Sequence, residues 1–128
     1  MKLTIVTLRV SDLGFSEAAT TSEIIGTDHD IDQHGSLAPF TGGKGKLFGL
    51  ELCLPEVALE YRLKYEDQPL DERVYVAMKP IVTPNGEPSI FVLGHSAGGL
   101  FLDATQARPD DKWHPNKKFM FCLNSAEK

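Results

Sequence analysis

The sequence predicts an all-β fold, mainly antiparallel, arranged as a single-domain sandwich or jelly-roll-like barrel with a long polar segment near the N-terminus. Three observations point there. Val, Ile, Phe, Tyr and Thr are plentiful, as strands favour. Several short apolar runs are bounded by prolines and glycines, eight and 11 of them respectively, which punctuate strands as turns. The run Lys117-Lys118-Phe119-Met120-Phe121-Cys122-Leu123 is apolar on both faces after its lysines, as a central strand is. At 128 residues the chain has the size of one domain, and no internal repeat or domain boundary appears within residues 1–128.

Residues 2–10 read as a strand, because Thr4, Val6, Leu8 and Val10 fall on one face while Leu3 and Ile5 begin the other. Residues 11–45 form a polar loop or arm. Only Glu17-Ala18-Ala19, with a stop at Gly26, hints at a helix. Asp28-His29-Asp30-Ile31-Asp32-Gln33-His34 is the densest group of potential metal ligands. In an extended chain Asp28, Asp30, Asp32 and His34 share one side and could hold a divalent cation. An EF-hand loop needs glycine at its sixth position and glutamate at its twelfth, where this chain has Gln33 and Pro39. A solvated acidic turn is the preferred reading, so no metal and no cofactor is assigned.

Thr41-Gly42-Gly43-Lys44-Gly45-Lys46 lacks the Ser or Thr that a phosphate loop requires after its Gly-Lys pair. It reads as a flexible lead into residues 47–54, where Phe48, Leu50, Leu52 and Leu54 share a face until Pro55 ends the run. Next, Val57, Leu59, Tyr61, Leu63 and Tyr65 alternate with Ala58, Glu60, Arg62, Lys64 and Glu66, the period-two pattern of a strand with one dry face. The run 73–79 is expected to pair with it as a hairpin. A helix over 70–81, using Leu70, Val74, Ala77, Met78 and Ile81, is the alternative. β-Branched and aromatic content and Pro80 favour strand.

Pro84-Asn85-Gly86-Glu87-Pro88 is a turn by composition. Beyond it lies Gly94-His95-Ser96-Ala97-Gly98-Gly99, which contains G-x-S-x-G, the sequence form of a nucleophile elbow. Taken with His34-Gly35 and Tyr61-Arg62-Leu63-Lys64-Tyr65-Glu66, it resembles the esterase branch of the α/β-hydrolases related to hormone-sensitive lipase. The resemblance implies Ser96 as nucleophile, the Ala97 amide as an oxyanion donor and His114 as base.

The same letters also spell a hairpin. Residues 90–95 and 100–105 are strand-like and separated by small residues, while a helix over 99–108 fits the spacing of Leu100, Ala104 and Ala107. Only 32 residues follow Ser96, too few to deliver an acid and a histidine on separate strands of a doubly wound sheet. The charged Glu60, Arg62 and Lys64 do not suit a strand buried on both faces. The hairpin is therefore the preferred reading, and no catalytic residue is assigned.

The net charge of −5 argues against nucleic acid or an anionic membrane as main partner. Cys53 and Cys122 sit in apolar runs and read as small buried hydrophobes. Residues 1–9 hold no long apolar stretch, so neither a leader nor a membrane span is expected. What emerges is a non-enzymatic binding or assembly protein of the cytoplasm or of a phage-like particle, whose partner is another protein or a second copy of itself.

Overall fold

The computed structural model describes residues 2–26, 44 and 49–125, and its main body is a six-stranded, largely antiparallel sheet. The N-terminal run forms β1 (Lys2–Arg9), followed by one 3-10 turn, Val10–Leu13. The last apolar run forms β8 (Lys118–Ser125). β8 is central, with β1 antiparallel on one side (Val6↔Phe121) and β3 (Arg73–Val76) parallel on the other (Tyr75↔Phe119). Phe119, Met120, Phe121 and Cys122 are consecutively buried, the result expected of a strand covered on both faces.

β5 (Pro88–Ser96) carries the other half of the sheet. Along one edge it pairs antiparallel with β3 (Val74↔Leu93) and, further on, with β4 (Ile81–Val82; Ile81↔Ser89). Along the opposite edge runs β6 (Gly99–Gln106). The 84–88 turn joins β4 to β5 as expected, with Gly86 at φ 85°. Residues 73–76 and 99–106 are both strand, so the helical alternatives for those runs are not realised.

A second, two-stranded sheet of β2 (Ala19–Thr20) and β7 (Lys112–Trp113) lies over one face of the first. Its Trp113 ring meets Tyr75 and Phe119 edge-on, at centroid distances of 4.9 and 5.2 Å, and donates through Nε1 to Thr21 Oγ1 at 2.8 Å. The two sheets give a sandwich-like, all-β architecture, and the larger sheet does not close into a barrel. The short α1 (Thr21–Ile25) begins a few residues later than its sequence hint. Thr20 is the residue that caps it, exchanging bonds with Glu23 at 2.8 and 3.1 Å, and Gly26 ends it as expected.

One expectation is overturned. Residues 57–65 are not a strand; 57–64 belong to α2 (Pro55–Lys64), and Tyr65 caps its C-terminal end. Pro55 stands in the first turn, where its missing N–H is not needed, after an extended Leu54. The alternating pattern places apolar residues all around this helix, so Ala58 is buried while Leu59 and Leu63 are 49 and 75 % exposed. The hairpin with residues 73–79 therefore does not form, and β3 pairs with β5 and β8 instead.

The described residues just before α2, 49–54, touch the sheet at two points. Glu51 exchanges backbone bonds of 2.7 and 2.9 Å with Cys122, and the Cys53 amide donates to Ala77 O at 2.7 Å. The acidic stretch 28–34 and most of the glycine-lysine stretch 41–46 lie outside the described residues. Among those described, no helix is long and apolar enough to cross a membrane.

Candidate functional site

The glycine-serine motif forms the β5–β6 hairpin. Ser96 pairs with Gly99 across a two-residue loop of Ala97 and Gly98, and Gly99 takes the positive φ of 120° that closes it. Gly94 is required for a different reason: a Cβ there would fall 2.2 Å from Phe101 Cζ, because the ring lies directly on the glycine. A strand–turn–strand cannot present Ser96 as an elbow, which needs a helix after the turn. Ser96 Oγ accepts from the Gly98 amide at 3.3 Å, and His114 Nδ1 accepts from the Asn116 amide at 3.2 Å. Each serves its own local turn.

A polar cluster that the sequence did not announce lies beside this hairpin. From α2, Arg62 donates through Nη1 to Gln68 Oε1 (2.9 Å), Gly94 O (3.1 Å) and Phe101 O (3.0 Å), and through Nη2 to Tyr65 O (2.7 Å). Gln68 is buried and donates to Glu72 O and Leu93 O, both at 3.2 Å. His95 Nδ1 lies 2.7 Å from Gln68 O. Arg62 thus ties α2 to both strands of the hairpin. The alternation that put Arg62 on a wet face hid this role, since its partners are 32 and 39 positions away.

The cluster continues into an open cleft of about 290 Å³ at the C-terminal end of β1, lined among others by Arg9, Asp12, Tyr65, Glu72 and Lys118. Tyr65 Oη donates to Glu72 Oε1 at 2.8 Å, and Lys118 Nζ donates to Glu72 Oε2 at 2.9 Å. Burial pushes the Tyr65 phenol up to about 12, helped by the neighbouring Glu72 carboxylate, so it stays protonated at neutral pH. Burial alone would raise the Glu72 carboxyl, but the bonds from Lys118 and Tyr65 hold it below the usual range. Asp12 accepts the Arg9 amide at 2.8 Å. Both acids in the cleft are engaged in holding the fold. Among the described residues no group of three or more His, Cys, Asp or Glu gathers as a metal site.

The two outer edges of the main sheet are the remaining candidates. The Val10 amide donates to Lys117 O at 2.9 Å, which sets the alternation in the β1–β8 ladder. Even-numbered residues of β1 bond to β8, and the backbone groups of Leu3, Ile5, Thr7 and Arg9 face outward. The Arg9 amide is taken by Asp12. Among the described residues, the amides of Leu3, Ile5 and Thr7 have no partner. At the far edge, the Ser96↔Gly99 closure and the Ala107 amide on Pro88 O (2.8 Å) place the amides of Leu100, Leu102 and Ala104 outward on β6. There the Ala104 amide is taken by Asp103 Oδ1 at 2.8 Å.

Comparison of the chain with protein-family models, with curated proteins and with solved structures finds no match. The functional reading rests on the geometry of the chain itself.

Proposed function

We propose that this is a non-enzymatic binding or assembly subunit that associates with a second copy of itself by pairing β1 with β1 across a two-fold axis. The observation that carries this is the edge of β1, eight residues long, without proline or bulge, on which the amides of Leu3, Ile5 and Thr7 have no partner among the described residues. Such an edge is a template for strand addition unless it is guarded. An isologous two-fold contact needs a self-complementary strand. With the axis at Ile5, the outward-facing residues pair Ile5 with Ile5 and Leu3 with Thr7, and Lys2 lies opposite Leu8, so no like charges meet. Assembly into a sheet running through both copies gives the all-β domain a purpose that needs no catalytic group.

Multi-angle light scattering over a range of concentrations tests this reading. The wild-type chain is expected to pass from monomer to dimer. Thr7→Pro removes an outward amide without touching the bonds to β8, and Thr7→Lys adds a charge to the edge. Both are expected to weaken dimerisation by at least about tenfold, about 1.4 kcal/mol, with an unchanged circular dichroism spectrum. A wild-type chain that stays monomeric at every concentration contradicts the proposal.

A further inference from the structure

We propose that Cys53 and Cys122 form a redox pair that closes into an intramolecular disulfide on exposure to a hydroperoxide. The two sulfurs lie 2.7 Å apart. Both thiols are free and buried, and they are 69 positions apart in sequence, brought together by the strand-like passage of residues 51–53 along β8. The backbone on both sides is already held. Glu51 and Cys122 exchange two backbone bonds, and Cys53 is fixed by its amide to Ala77 O. Forming a covalent bond therefore asks for a small side-chain adjustment, with no rearrangement of the main chain. Among the described residues no third ligand joins the pair, so redox chemistry suits it better than metal binding.

The step balances without further reagents. One thiol attacks the peroxide, the O–O bond breaks, and a sulfenic acid and one molecule of water are formed from hydrogen peroxide. The neighbouring thiol then attacks the sulfenic sulfur, the S–S bond forms, and a second molecule of water leaves. Two thiols give up two protons and two electrons, and the peroxide is reduced. Either thiol can make the first attack, because each sulfur lies against the other and is placed to resolve the sulfenic acid formed on its neighbour. Closure would fasten the lead-in of α2 to the central strand and so convert a two-bond bridge into a staple.

The purified full chain, reduced and then treated with hydrogen peroxide, is denatured and alkylated, and its intact mass is recorded. The expected result is a chain lighter by two hydrogens and closed to alkylation, reopened at both cysteines by a dithiol. The oxidised form should melt higher by about 5–15 °C, since the bond closes a long loop, and Cys53→Ser and Cys122→Ser should each lose that shift. Two alkylated cysteines after treatment would overturn the proposal. So would gain of oxygen without loss of hydrogen, or a melting shift that survives in either serine variant.

Discussion

The two edges of the main sheet are built from strands of equal length, eight residues each, and they differ in how they meet the surroundings. On β6, the Asp103 side chain folds back onto the outward amide of Ala104, and Arg62 grips the β5–β6 hairpin from behind through Gly94 O and Phe101 O. On β1, Asp12 covers only the last outward amide, that of Arg9, and the amides of Leu3, Ile5 and Thr7 stay open among the described residues. An acidic side chain on an edge is a common way of discouraging strand addition. Each edge thus has one outward amide taken by a nearby aspartate; what sets β6 apart is the hold of Arg62 on its hairpin, and among the described residues no such clasp is made to β1.

The contrast is broken most severely by releasing the grip behind β6. Arg62→Ala removes four hydrogen bonds and leaves Gln68 Oε1 without that donor inside the fold, so a loss of about 2–4 kcal/mol is expected in urea unfolding. A loss below about 0.5 kcal/mol would show that α2 is not fastened through Arg62. Next in size is the hairpin itself. Gly94→Ala drives a methyl into the Phe101 ring and is expected to cost about 1–3 kcal/mol. Gly98→Ala, where a Cβ would lie 3.8 Å from Ser96 Oγ, should stay within about 0.5 kcal/mol. Equal effects at the two glycines would remove the packing explanation of the motif. The smallest effect is on the guard: Asp103→Ala frees an amide on β6 and is expected to leave folding nearly unchanged while letting dimers grow into larger species, visible in sedimentation velocity. An unchanged size distribution would mean that Asp103 does not protect the edge.

Much of this architecture could be read from the residues, and the parts that could not share a physical cause. β8 was legible because Phe119 through Leu123 are apolar on both faces, which few structures other than a central strand tolerate. The β5–β6 hairpin was legible from Gly98 and Gly99 between two strand-like runs, although the reason for Gly94, a ring laid on its backbone, needed the register that places Phe101 opposite it. α2 was misread because period-two alternation ignores where the neighbours are. Leu59 and Leu63 look like core residues in sequence, yet the helix is held by Ala58 and by the polar reach of Arg62. Likewise the Cys53–Cys122 contact and the Tyr65–Glu72–Lys118 network join residues far apart in the chain, and no local pattern records such meetings. The place of β1 at an edge is also a tertiary property: residues 2–9 read as a strand in sequence, but only the sheet order shows which of its sides has no strand beside it among the described residues.

Amide hydrogen exchange along β1, followed residue by residue at low and high protein concentration, tests the central claim most directly. In the dilute chain the amides of Thr4, Val6 and Leu8, bonded to β8, should exchange slowly, and those of Ile5 and Thr7 quickly. Raising the concentration should slow Ile5 and Thr7 to the rates of their neighbours, leaving the outward amides of Leu100 and Leu102 on β6 unchanged. Fast exchange of Ile5 and Thr7 at every concentration, with Val6 and Leu8 protected throughout, would contradict assembly through this edge.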